Sequence, residues 1–234
     1  MKIQVLALLF STALAVYTGC EQETVESPEL PPAPELVASP PDTALDEQGF
    51  DAVPDGNAIQ VCWRTRPEYT GYALFRRAET ELSFRKVAEF GAADSCAVNS
   101  GVEINIRYYY YLKAKDESNN WSPPSDTLDY ELIAKVFNLF SNLSVSPVEF
   151  RWHLSGITPD LYILKLFDDE TDERIWQCLV EPSYRTEEVV VFNNDGTAKV
   201  EEPAAGRRYR WRVDCRGTRP RSGSESAWAR FSMP

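Results

Sequence analysis

The chain has 234 residues, 43% of them hydrophobic, with a formal net charge of −12, one histidine and five cysteines. That length leaves room for two domains of about 100 residues after a leader, and the charge argues against nucleic acid as a main partner. A lone histidine, His153, no serine or cysteine set beside a base by any motif, no Gly-rich phosphate loop and no zinc-ligand spacing leave catalysis and a bound cofactor without a sequence basis.

The first element is an apolar run from Ile3 to Val16 that follows Lys2 and ends in small residues. This is the layout of an export signal, too short for a bilayer-spanning helix of about 20 residues. Its end, Val16-Tyr17-Thr18-Gly19-Cys20, resembles the lipobox of bacterial lipoproteins, in which a cysteine after small residues is diacylated and becomes the first residue of the mature chain. Tyr17 departs from that pattern, where Leu is usual. The resemblance implies removal of residues 1–19, a palmitate-type anchor on Cys20, and a place in the bacterial cell envelope, on the outer membrane first of all. The alternative is an ordinary signal peptide with a free cysteine near its end. Cysteine arithmetic sides with the lipid. Five is odd for an exported chain, and giving Cys20 to the anchor leaves Cys62, Cys96, Cys178 and Cys215 to pair in an oxidising compartment.

The acidity is unevenly placed. Between Glu21 and Asp55 there are ten acids and no bases, whereas residues 134–234 hold 15 acids and 14 bases. Residues 20–33, with Pro28, Pro31 and Pro32, read as a disordered acidic tether, a spacer reaching on the order of 40 Å at the polyproline rise.

From about Pro34 the chain shows short alternating stretches broken by Gly, Pro, Asn and Asp, an all-β pattern that repeats once. In "NAIQVCWR" and "SPVEFRWH", Ile59, Val61 and Trp63 alternate as Val148, Phe150 and Trp152 do. In "GYALFRR" and "LYILKLFD", Tyr72 and Leu74 correspond to Tyr162, Leu164 and Leu166. In "RYYYYLKAKD" and "RYRWRVDC", Tyr108, Tyr110, Leu112 and Ala114 correspond to Tyr209, Trp211, Val213 and Cys215. The period of two puts each set on one face, towards a core.

The first repeat, residues 34–131, resembles a fibronectin type III domain, on "IQVCW", "YTGYALFRR" and "RYYYYLKAKDESNNWSPPSD". Residues 132–234 are similar but more divergent, closest in "PVEFRWHLSG" and "GRRYRWRVDCRG", with a long "FDDETDERIWQCLV" hairpin that departs from the usual spacing. The fold expected is therefore two tandem immunoglobulin-like antiparallel β-sandwiches after a signal peptide and tether. The resemblance implies binding or spacing and brings no catalytic residues. It also makes the strands of Cys62 and Cys96 neighbours, implying a bridge on the outer face of one sheet, worth about 2–4 kcal/mol. Cys178 and Cys215 remain as a second pair.

Candidate sites lie on outward positions. Phe75, Tyr109 and Tyr111 form an aromatic cluster that could stack on sugar, anchor a protein, or be covered structure. The matching positions of the second repeat are Arg208, Arg210 and Arg212, followed by Arg216, Arg219 and Arg221. These read as an anion-binding strip or as a solvated face paired with Glu187, Glu188, Glu201 and Glu202. The run Asp168, Asp169, Glu170, Asp172 and Glu173 reads as a hairpin tip rather than a calcium loop, and no metal is expected. His153 should point to solvent. The partners expected are a membrane, through the anchor, and a protein or polysaccharide of the envelope. A non-catalytic interaction or spacer module comes first, a carbohydrate-binding accessory protein second and a hydrolase third.

Overall fold

The computed structural model describes residues 29–40, 49–154 and 156–234. Cys20, the leader and most of the tether lie outside them. All regular structure among the described residues is strand.

The first sandwich is built from β1 (Asp51–Ala52), β2 (Ala58–Cys62), β3 (Gly71–Ala78), β4 (Arg85–Gly91), β5 (Cys96–Ser100), β6 (Arg107–Lys115) and β7 (Leu128–Leu132). A β1-β2-β5 sheet faces a β4-β3-β6-β7 sheet. Alternation fixes what lies between them. Tyr72 and Leu74 of β3 and Tyr110, Leu112 and Ala114 of β6 are fully buried, with Trp63, Val61 and Ile59 from the other sheet closing the core. Trp63 packs against Tyr72 with ring centroids 5.5 Å apart. Each such side chain contributes about 1.5–3 kcal/mol of apolar burial, which is what holds the register.

The second sandwich repeats the plan with β8 (Val136–Asn142), β9 (Glu149–Leu154), β10 (Leu161–Asp168), β11 (Arg174–Val180), β12 (Glu187–Val191), β13 (Arg208–Arg216), β14 (Ser222–Glu225) and β15 (Ala229–Ser232). Its sheets are β12-β9-β8 and β11-β10-β13, the last paired along its length with β14 and β15. These two are one strand interrupted at Ser226, whose hydroxyl accepts the Val213 N–H at 2.9 Å in place of a ladder carbonyl. Phe150, Trp152, Tyr162, Trp176 and Trp211 fill the core, and Phe150 meets Trp211 edge-on at 4.9 Å. Every inward residue expected from the repeat is buried, and the chain folds as two fibronectin type III-like sandwiches.

Two expectations need correction. The segment read as tether does not stay free to residue 33: Pro31 and Pro34 are buried, and Tyr69 Oη donates to the Pro32 carbonyl at 3.1 Å. Residues 35–37 continue this contact as an edge along β2, with Val37 N–H donating to Cys62 O at 2.9 Å. Second, Cys62 and Cys96 are opposite one another on β2 and β5 and are bonded, but Cys178 and Cys215 are free thiols. They sit on β11 and β13, the two strands that flank β10, beside Leu164 and Tyr162 respectively. Two strand spacings are about 9–10 Å, beyond the reach of a disulfide. Burial pushes each thiol up to about 12.

Each sandwich is antiparallel within itself, as expected, and one parallel contact that the sequence did not announce joins the two. β7 of the first sandwich pairs in parallel with β14 of the second, Ser222 opposite Glu131 and Gly223 opposite Leu132. The Glu131 and Ile133 N–H groups donate to the carbonyls of Arg221 and Gly223, each at 3.0 Å. The four strands β4, β3, β6 and β7 and the five strands β11, β10, β13, β14 and β15 thereby fuse into a single nine-stranded sheet. Gly223 permits this approach, since a Cβ there would lie 2.8 Å from Tyr130 Oη and 2.9 Å from the Cys215 carbonyl. Charges secure the seam. Arg107 pairs with Asp129 and donates to the Pro220 carbonyl at 2.9 Å, while Arg219 and Arg221 reach across to Glu131 and Asp129 at 2.6 and 2.5 Å.

Candidate functional site

The outer face of the β4-β3-β6 sheet carries the residues singled out from the sequence. Because Tyr72, Leu74, Tyr108, Tyr110 and Leu112 point inward, Phe75 and Arg77 of β3 and Tyr109, Tyr111, Lys113 and Lys115 of β6 must point outward. Register sets their neighbours: Phe75 opposes Tyr111, Arg77 opposes Tyr109, Ala73 opposes Lys113 and Gly71 opposes Lys115. All six outward side chains are half-buried.

The aromatic cluster is real, and it is larger than expected. Phe75 and Tyr111 stack at 4.7 Å with 12° between their planes, and Phe84, from the β3–β4 turn, leans on Tyr111 at 4.8 Å. Arg77 lies 4.1 Å over the Tyr109 ring and 5.3 Å from Phe84. Burial raises the Tyr111 hydroxyl pKa above its ordinary value. The ring faces are thus used on one another and on Arg77, which leaves mainly edges for a ligand. Stacking on a pyranose needs an open face.

The bases on this face form the second feature. Lys86 is bound to Glu89 and holds its carboxyl below the ordinary carboxylate range, with Lys115 adding to the effect. Among the described residues, Arg77, Lys113 and Lys115 pair with no carboxylate; Arg77 reaches only the Ala78 carbonyl at 3.4 Å and Lys115 the Trp121 ring at 5.6 Å. Alternation alone placed these three beside Tyr109 and Tyr111, so this part of the face was readable from the sequence. Phe84 was not, because a turn residue has no period to follow.

The equivalent face of the second sandwich is closed. Arg208 pairs with Glu170 at 3.5 Å, and Arg210 pairs with Asp169 and Asp172. Arg212 is buried against Asp214 at 2.8 Å and Glu225 at 2.7 Å, with Lys165 on Asp214 at 2.8 Å. Trp228 lies 4.9 Å from both the Arg210 and the Arg212 guanidinium groups. These arginines are therefore no open anion strip, and their partners are not Glu187, Glu188, Glu201 and Glu202 but the acids of the β10–β11 turn, β13 and β14. Asp168 anchors that turn. It accepts from the Glu170 and Thr171 N–H groups at 2.9 and 3.0 Å and pairs with Arg207, and these contacts lower its pKa to about 2. His153 is half-exposed, 3.9 Å from Glu187.

A cleft of about 380 Å³ opens at the seam, lined by Asp51, Tyr130, Arg216, Arg219 and Arg221 among others. Arg216 is held by Asp160 and the other two arginines by Glu131 and Asp129, so its cations serve the joint.

No family model matches the chain, and no curated protein matches it. Among solved structures it is similar to a two-domain fibronectin type III segment of chicken tenascin, at 13% identity and a TM-score of 0.33, over 78% of this chain and 95% of that one. It is similar also to the FN1–FN3 domains of chicken CNTN1, at 13% identity and a TM-score of 0.36, over 87% of this chain and 69% of that one. A twitchin kinase region from C. elegans matches 44% of this chain and 17% of its own length, at 13% identity and a TM-score of 0.34. The assignment of fold rests on the strand order described above.

Proposed function

We propose that the chain is a membrane-anchored, non-catalytic interaction module of a bacterial envelope. In this reading an acyl group on Cys20 and the acidic tether hold two fused sandwiches at a membrane surface, and the outer face of the first sandwich engages a protein of the envelope. The observation that carries it is the contrast in charge pairing. The arginines of the matching face of the second sandwich are matched by its own carboxylates, while Arg77, Lys113 and Lys115 surround half-buried rings and form no ion pair with a carboxylate among the described residues. Aromatic residues and arginine are the usual anchors of protein interfaces, and Phe75, Tyr109, Tyr111 and Arg77 are of that kind. The occupied ring faces count against sugar stacking.

The test is photocrosslinking in cells. A benzophenone side chain in place of Leu82, which is fully exposed in the turn that carries Phe84, should trap an envelope protein. The same group at Tyr184, exposed in the second sandwich, should not. Equal yields at both positions would remove the binding face from the reading. The anchor is tested separately: Cys20→Ala should abolish palmitate labelling and release the protein from the membrane fraction, and labelling that persists would exclude this site.

A further inference from the structure

We infer that the partner segment received by the first sandwich is an acidic polypeptide, its carboxylates meeting Arg77, Lys113 and Lys115 and its apolar side chains meeting the edges of Phe75, Tyr111 and Phe84. This inference rests on the interaction reading above and names the chemistry of the ligand.

The argument is one of complementarity. On a chain of net charge −12, a strip carrying three bases that form no ion pair with a carboxylate among the described residues is the exception. Of the acids near it, Glu89 is bound to Lys86 and also feels Lys115, and Asp129 and Glu131 at the far end are held by Arg107, Arg219 and Arg221. The strip therefore keeps an excess of positive charge. Lys113 and Lys115 lie two residues apart on one strand, about 6.5–7 Å, which is also the spacing of alternate side chains on an extended peptide laid along it. A guanidinium resting on Tyr109 and partly desolvated by Phe84 is worth more to an incoming carboxylate than one in open water. An acidic polysaccharide could meet the same charges. It would need ring faces for its sugars, and here those faces are occupied.

The experiment measures binding of a fluorescein-labelled peptide of alternating glutamate and leucine to the purified full chain by anisotropy, with polygalacturonate as competitor. The expected result is saturable binding that weakens at least about tenfold in the Lys113→Glu/Lys115→Glu variant and weakens steeply with salt. Arg185→Glu removes an exposed base of the second sandwich and should change binding less than about twofold. Thermal unfolding of each variant confirms that the fold survives, and Arg77→Gln gives a second, milder variant should the double change unfold the domain. Equal losses for Arg185→Glu would mean unspecific charge attraction and overturn the inference. So would polygalacturonate binding that is tighter than the peptide's and equally sensitive to Lys113 and Lys115. Failure here with a positional crosslink still formed at Leu82 would leave the interaction reading standing and remove only the acidic ligand.

Discussion

The outer faces of β3–β6 and of β10–β13 occupy the same place in two copies of one architecture and handle positive charge in opposite ways. In the second sandwich Arg210 and Arg212 hold Trp228 from two sides and are answered by Asp169, Asp214 and Glu225. In the first, Arg77 lies on Tyr109, Lys113 and Lys115 stand along the same strand, and among the described residues none of the three forms an ion pair with a carboxylate. A buried ion pair is weak evidence for net stability, but once made its removal is costly, because the surviving charge has no water. Closed networks therefore mark structure and open ones mark availability.

The largest effect should come from breaking the closed face. Arg212→Met leaves Asp214 and Glu225 buried without the guanidinium between them, and should cost about 3–5 kcal/mol in urea unfolding followed by tryptophan fluorescence. A loss below about 1 kcal/mol would mean that water already reaches these acids.

The next effect belongs to the other sandwich. The Cys62→Ala/Cys96→Ala double variant removes a bridge with a sequence separation of 34 and should cost about 2–4 kcal/mol. Peptide mapping without reductant should recover Cys62 joined to Cys96. Maleimide should leave Cys178 and Cys215 unlabelled until denaturant is added, because the thiolate is the reacting form and both thiols are pushed up to about 12. Rapid labelling of native protein would contradict their burial.

Tyr111→Ser should cost about 1–2 kcal/mol, since contacts with Phe75 and Phe84 are lost at about 0.5–1.5 kcal/mol each. Alternation alone suggests less, because it shows the ring outward without showing it stacked.

Smaller still is an effect confined to acid. The Asp168 pKa is depressed on folding, so its contribution is complete above the ordinary carboxylate range and is lost as pH falls through that range towards about 2. Asp168→Asn should flatten the acid limb of thermal stability between about pH 4 and 2. An unchanged limb would show that the two N–H donors and Arg207 do not hold the turn. At the bottom of the scale, Lys113→Ala/Lys115→Ala should alter stability by no more than about 0.5 kcal/mol in the same urea assay. A larger loss would make these lysines structural and erase the contrast between the faces.

What could be read from the sequence was whatever period two controls. Trp63 and Trp152, Tyr72 and Tyr162, and Leu112 and Val213 are buried where the repeat places them, and the outward partners Phe75, Tyr109 and Tyr111 meet as alternation requires. The Cys62–Cys96 bridge was implied by the fibronectin type III resemblance, which makes their strands neighbours, and the two cysteines are bonded across β2 and β5. Contacts set by turns and by distant chain were not readable. Trp228 reaches its arginines because the last strand breaks at Ser226, whose hydroxyl accepts the Val213 N–H as that of Ser125 accepts the Leu112 N–H in the first sandwich, and alternation marks neither serine. The acids of 169–173 find Arg208 and Arg210 only once the β10–β11 turn has a shape. Cys178 and Cys215 could be counted as a pair, while the strand between them could not be seen.

The seam between β7 and β14 has a consequence for how the molecule is made. The N–H groups of Glu131 and Ile133 find their acceptors at residues 221 and 223, each 90 residues further along the chain. During synthesis from the N-terminus, the first sandwich can assemble its core long before those carbonyls exist, and until they arrive its last strand is an open edge of the kind that recruits foreign strands. Asp129 and Glu131 stand on that edge. Before they tie down Arg219 and Arg221, two carboxylates against Arg107 alone give the nascent edge an excess of negative charge, a guard that is converted into a fastening once the second sandwich has been made.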